Sequence, residues 1–169
     1  MRRLMFVVAL LCVLSLSSIA QARYPYPEYR NDDRNFPLVW GHDGTAFYID
    51  RSSIEISRQS DTVLVAAINV LTVDERGTEY RSNITDGTVT QKQMFAFAYD
   101  ESNLSMYNYD ENKDELVPVL PLARGVVHYS GEALYYIVTG KKFHGARKWR
   151  RENSNEYLTM FDNVFYARY

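Results

Sequence analysis

The chain has 169 residues, a formal charge of −2, and 46% hydrophobic against 24% charged residues. That balance describes a foldable globular protein and excludes a disordered tail, a collagen-like fibre or a low-complexity linker. The length suits one domain with a self-sufficient core, and the mild acidity argues against a specific nucleic-acid binder, because phosphate attraction favours net positive charge.

Residues 1–22 read as a signal peptide. Arg2 and Arg3 supply a short positive start, residues 4–16 an apolar run, and Ala20-Gln21-Ala22 an A-x-A cleavage site before Arg23. The run of about 13 residues is shorter than the roughly 20 a membrane span needs. The expected product is exported, to the periplasm, the cell surface or the medium. Cys12 is the one cysteine and lies inside the apolar run after Leu11, where a lipid-modified start would have a small residue. The mature chain therefore has no thiol for a disulfide, a nucleophile or a metal site, and no lipid anchor is expected.

Residues 23–37 hold three prolines and a cluster of charges, which predicts an extended or mobile arm containing Tyr24, Tyr26 and Tyr29. A single domain is expected over 38–169. His42-Asp43-Gly44 is a turn signal, and the aromatic and β-branched residues 45–50 read as a strand. A corner at Arg51-Ser52-Ser53 then leads to a short extension over 54–57. Residues 61–74 give the strongest strand. Leu64, Ala66, Ile68 and Val70 line one face, and Val63, Val65, Ala67, Leu71 and Val73 the other, as a strand covered on both sides would. Residues 78–84 are expected to return as a hairpin partner.

In residues 91–99, Phe95, Phe97 and Tyr99 alternate with Met94, Ala96 and Ala98. Residues 104–109 follow as an antiparallel partner. Residues 115–120 are apolar but interrupted by Pro118 and followed by Pro121, so any strand there is short or on an edge. The period then changes. Ser130 reads as an N-cap, with Glu132 favourable to the first-turn dipole and Ala133, Leu134, Ile137 and Val138 at helical spacing. Gly140 is a stop, giving a helix of about ten residues. Gly145 makes the following basic segment read as a loop. After Ser154, Tyr157, Phe161, Val164 and Phe165 fit either a short helix or a terminal strand. Strands followed by a helix define an α+β fold.

Motifs for chemistry are sparse. Asp110, Asn112 and Asp114 have the opening spacing of a calcium loop, but Glu115 stands where glycine is needed and Pro121 where the closing glutamate belongs. His42, His128 and His144 form no metal-binding spacing. His42 and His144 are expected exposed, and His128 half-buried on a strand. There is no nucleophile elbow, no phosphate-cradling glycine loop and no sign of a cofactor.

The clearest feature is electrostatic. Lys141, Lys142, Arg147, Lys148, Arg150 and Arg151 put six positive charges into eleven residues without an acid, with Trp149 among them. Loss of Arg2 and Arg3 takes the mature charge from −2 to −4, so the rest of the mature chain carries −10. Such a patch on an acidic body suits an anionic polysaccharide, lipid head groups or a host protein; a solvated neutralising loop is the bland alternative.

Trp40, then Phe47-Tyr48-Ile49-Asp50, then Ser53-Ile54, resembles the opening of small exported bacterial envelope proteins similar to surface-adhesin protein E. The strands that follow, and a helix ending in Gly140-Lys141-Lys142-Phe143, fit the same layout over residues 38–143. The resemblance implies an antiparallel β-sheet of about five to six strands with a C-terminal helix packed on one face. It also implies a place in the cell envelope and binding rather than catalysis. The cysteine pair that tethers the helix in that family is missing here.

The reading is therefore a non-catalytic, adhesin-like binding protein. Its contact surface would be Lys141, Lys142, Arg147, Lys148, Trp149, Arg150 and Arg151, with Tyr24, Tyr26 and Tyr29 secondary. The alternatives are a small periplasmic hydrolase with a carboxylate pair, and an envelope assembly subunit or homodimer pairing through a sheet edge.

Overall fold

Alternation along two long strands decides which way the sheet faces. On β3 (Val63–Asp74), Leu64, Ala66, Ile68 and Val70 are buried, and on β4 (Thr88–Tyr99) so are Phe95 and Phe97. Register sets Leu64 opposite Phe97 and Ala66 opposite Phe95, and residues directly opposed in an antiparallel pair share a face. The computed structural model describes residues 26–42, 44–74, 88–99, 104–120, 125–150 and 157–169. Strands β1 (Leu38–His42), β2 (Thr45–Gln59), β3, β4, β5 (Leu104–Asp110) and β6 (Glu115–Pro118) pair antiparallel in chain order as one curled sheet. Helix α1 (Val126–Thr139) packs on the face that carries Phe95 and Phe97. The fold is α+β, as the sequence predicts. Pro118 ends the short edge strand β6.

The predicted corner at Arg51-Ser52-Ser53 is a bulge inside one long strand. The β2–β3 register shifts between Asp50 and Glu55. Side chains take over the interrupted ladder. Asp50 Oδ1 accepts from Ser52 N at 2.9 Å, and Ser53 Oγ donates to Asp50 O at 2.7 Å and accepts from Asn69 N at 2.8 Å. The expected hairpin partner at 78–84 lies outside the described residues; β3 is flanked by β2 and β4.

The described part of the arm does not run free. A 3-10 turn at Arg30–Asp32 and a bridge between Tyr29 and Pro37 fold it back on itself. Backbone bonds from Ile49 N to Pro37 O and from Arg51 N to Asn35 O join it to β2. It covers a second cluster of Leu38, Ala46, Tyr48 and Leu71, on the opposite side of the sheet from Ile49 and Val70. The prolines shape this path, and docking supplies the hydrogen bonds they leave unmade. The two-sided burial expected for β3 is thus split, with α1 on one face and the arm over the Leu71 end of the other.

Helix α1 begins earlier than expected, at Val126 after Gly125, and Ser130 sits buried inside it rather than at its cap. Residues 130–135 are all buried because α1 is covered twice. The sheet lies beneath it. Above it run Phe143, Met160, Phe161, Phe165 and Tyr166, from the loop, from a ribbon of β7 (Arg147–Arg150) and β8 (Tyr157–Met160), and from the short helix α2 (Asn163–Tyr166). Tyr169 Oη donates to Leu38 O at 3.2 Å and draws this cover over β1. Among the described residues no helix is long and apolar enough to cross a membrane.

Candidate functional sites

Gly140 adopts the left-handed conformation (φ 69°) and its N–H donates to Tyr136 O at 2.8 Å, which ends α1 where the sequence predicts. Lys141 and Lys142 follow, both exposed. Lys142 Nζ donates to Asn163 Oδ1 at 3.1 Å and stands 4.7 Å from the Tyr166 ring centre. The segment beyond them is not the expected loop. Gly145, at φ 67°, turns the chain into β7, and pairing with β8 satisfies its backbone. Arg147 lies opposite Met160, Lys148 opposite Thr159, Trp149 opposite Leu158 and Arg150 opposite Tyr157. Arg151 and Tyr24 lie outside the described residues. Tyr26 and Tyr29 belong to the arm rather than to the basic segment. The Tyr26 ring lies against Gly41, and its Oη accepts from Gly44 N at 2.8 Å.

The second cluster is buried. Glu132 has no exposed surface, yet its carboxylate is fully partnered. Oε1 accepts from Phe143 N at 3.0 Å, His144 N at 3.1 Å and Tyr166 Oη at 2.5 Å. Oε2 lies 2.9 Å from His144 Nδ1, which must carry the proton because an ionised carboxylate only accepts. His128 Nε2 lies 3.3 Å from the same Nδ1. Burial works against ionisation of Glu132, but the bonds from His144 and Tyr166 outweigh it and hold its pKa below the ordinary value. Burial, and then the Glu132 bond, push the Tyr166 hydroxyl far up.

The histidine expectations change accordingly. His144 is 3% exposed at its side chain, held by Glu132 rather than exposed, and His128 is buried on a helix rather than half-buried on a strand. His42 ends β1 and is exposed, as expected. Among the described residues no group of three His, Cys, Asp or Glu is placed to hold a metal ion. The calcium-like residues Asp110, Asn112 and Asp114 form the β5–β6 turn, where Asp110 Oδ1 accepts from Asn112 N and Tyr109 Oη donates to Asp114.

The third feature is a cleft of about 680 Å³ between the start of α1 and the β4–β6 side of the sheet. Gly125, Val126 and Val127 form one wall, Trp40 another, and Gln93 and Asn108 belong to the floor. Neither amide belongs to a motif that sequence reasoning singles out. A signal for them exists nonetheless: Gln93 is a polar break in the inward-facing series with Phe95 and Phe97, and Asn108 stands opposite Phe95. No family model, curated protein or solved structure matches the chain.

Proposed function

We propose that this is an exported, non-catalytic binding protein of the bacterial cell envelope, of the kind the resemblance to surface-adhesin protein E implies, which holds an anionic polysaccharide along its basic segment. The observation that carries the reading is one of charge placement. Exposed Lys141 and Lys142 lead directly into a paired strand bearing Arg147, Lys148 and Arg150, with no acid between residues 141 and 151. Five cations within ten residues of chain, with no acid among them, favour a polymer that carries repeating anions. The buried cluster supports binding over catalysis. Glu132 resembles a general base in composition, but its lone pairs are committed to the loop amides, His144 and Tyr166, and it has no exposed surface.

Retention on immobilised heparin tests this. The chain is expected to elute at a salt concentration that falls when Arg147, Lys148, Arg150 and Arg151 are all reversed to glutamate. The salt dependence of binding should flatten in proportion to the number of cations that no longer meet an anion. Vesicles with anionic head groups, run alongside, separate a polymer from a membrane surface. An unchanged elution in a variant whose circular dichroism is native overturns the proposal, as does failure of the unmodified chain to be retained at low salt.

A further inference from the structure

The cleft at the start of α1 is distinct from the basic segment and has the composition of a ligand site. Helix α1 has fourteen residues and no side-chain cap, because its N-cap residue is Gly125. Its first N–H groups have no acceptor within the helix, and the helix dipole makes this end attractive to an anion. Gly125 itself (φ 151°, ψ 172°) occupies backbone space reserved for glycine, although a Cβ there would meet nothing within 4 Å. Conformation, not crowding, requires the glycine, and such strain concentrates at binding sites.

A second observation is independent of the helix. Gln93 is only 6% exposed and faces the cleft side of β4, and its Oε1 is buried without a hydrogen-bond partner among the described residues. Asn108 Oδ1 is in the same position, and its amide orientation is fixed because Nδ2 donates to Tyr109 O at 3.1 Å. Two buried acceptors without donors on one floor are costly unless a ligand supplies the donors. Asp110 and Glu111 on the β5 rim add negative charge. Apolar surface from Trp40, Val119 and Leu120 lies between, and Leu120 is left 64% exposed.

A donor-rich cation at the amides, an anion at the helix start and an apolar body between them describe one chemical class. We infer that the cleft binds a short zwitterionic peptide, or a free amino acid, with apolar side chains. Its carboxylate meets the amides that open α1, its ammonium donates to Gln93 and Asn108, and its side chains lie against Trp40 and Leu120. The volume of about 680 Å³ falls within the range of small-ligand sites.

Calorimetric titration of the purified chain with leucyl-leucine, leucine, N-acetyl-leucyl-leucine and leucyl-leucine amide tests the inference. The zwitterions are expected to bind, and blocking either end should weaken binding about tenfold or more. Whichever of dipeptide and free amino acid binds tighter identifies the source. Gln93→Leu should lose the dipeptide while melting no lower than the parent, since it removes an unpartnered buried oxygen. Val126→Asp should also lose the dipeptide, because an acid in the first turn of the helix repels the carboxylate. The inference is overturned if no probe binds at millimolar concentration, if blocked and free dipeptides bind alike, or if either variant, folded, binds as the parent does.

Discussion

The side chain of Glu132, in the middle of α1, accepts a hydrogen bond from the backbone of Phe143 at 3.0 Å, and this contact joins the helix to everything that covers it. Phe143 stands edge-on to both Phe97 and Tyr135, so the same residue that Glu132 anchors by its amide fills the gap between sheet and helix with its ring. Residues 23–169 contain no cysteine, and this buried carboxylate does the tethering that a crosslink would do. Removing its charge should therefore be costly. Glu132→Gln keeps the shape, but puts an amide where at least one of the present donors now finds an oxygen. Hydrogen bonds to charged groups contribute about 1.5–3 kcal/mol, so a loss of about 2–4 kcal/mol is expected. Thermal unfolding followed by circular dichroism checks it, and a melting temperature within a degree of the parent would show that the tether is idle.

The same carboxylate sets an acid limit. Its folded pKa lies below the ordinary value of 4.5, so ionised Glu132 stabilises the fold fully above that value, and the contribution is lost as pH falls through the folded pKa. The facing groups are His144 from the loop and Tyr166 from α2, and His128 of the helix lies against His144. The parent should lose melting temperature steeply below about pH 4.5. Glu132→Gln, already weakened at pH 7, should lose less over the same interval, so the two curves converge in acid. Parallel curves would assign the acid sensitivity to other carboxylates.

The buried cluster also shows where local sequence signals stop. The inward faces of β3 and β4 are legible because Phe95 and Phe97 repeat at the strand period, and Gly140 is legible as a stop because only a left-handed residue fits there. Glu132 is not. A glutamate two residues after a serine looks like first-turn chemistry, and only the closure of the loop over α1 reveals that the helix starts earlier and that both residues are interior. The start of α1 hides for the same reason, since Val126 and Val127 carry no capping signal. β7 reads as a loop because its pairing with β8 depends on residues about ten positions away rather than on its own charges. Gln93 and Asn108 are visible as polar breaks, but one break in a strand does not by itself separate a floor from an edge.

Docking of the arm is a packing effect and should respond to its anchor. The Tyr26 ring occupies the space that any side chain at position 41 would need, with two ring carbons well inside van der Waals contact of where a Cβ would stand. Gly41→Ala should displace the ring and release the hydrogen bond between Gly44 N and Tyr26 Oη. Tyr26→Ala should have the same consequence from the other side, at a cost of about 1–2 kcal/mol for a half-buried aromatic. Hydrogen exchange is the direct measurement. The amides of Ile49 and Arg51, which donate to Pro37 and Asn35, should lose protection in both variants, while Ala66 on β3 keeps its own. Equal protection throughout would mean that the arm is held by its backbone bonds alone.

Gly131 puts helix propensity and packing in opposition. Alanine at an interior helical position ordinarily adds about 1 kcal/mol over glycine. Here a Cβ would meet Met106 Sδ at 2.5 Å and Phe95 Cε1 at 2.9 Å. Met106 is flexible at its end and can swing aside, but the Phe95 ring is fully buried and lies against Phe97 at 6.0 Å between centroids, so it has nowhere to go. Overpacking of this kind costs about 1–3 kcal/mol, which exceeds or cancels the propensity gain. Gly131→Ala should therefore lower the melting temperature rather than raise it. Combining it with Phe95→Leu should give a double mutant more stable than the two single losses added together, because the smaller side chain removes the clash. A rise in melting temperature for Gly131→Ala alone would mean that α1 stands off from the sheet, and that close approach at this glycine does not hold the two layers together.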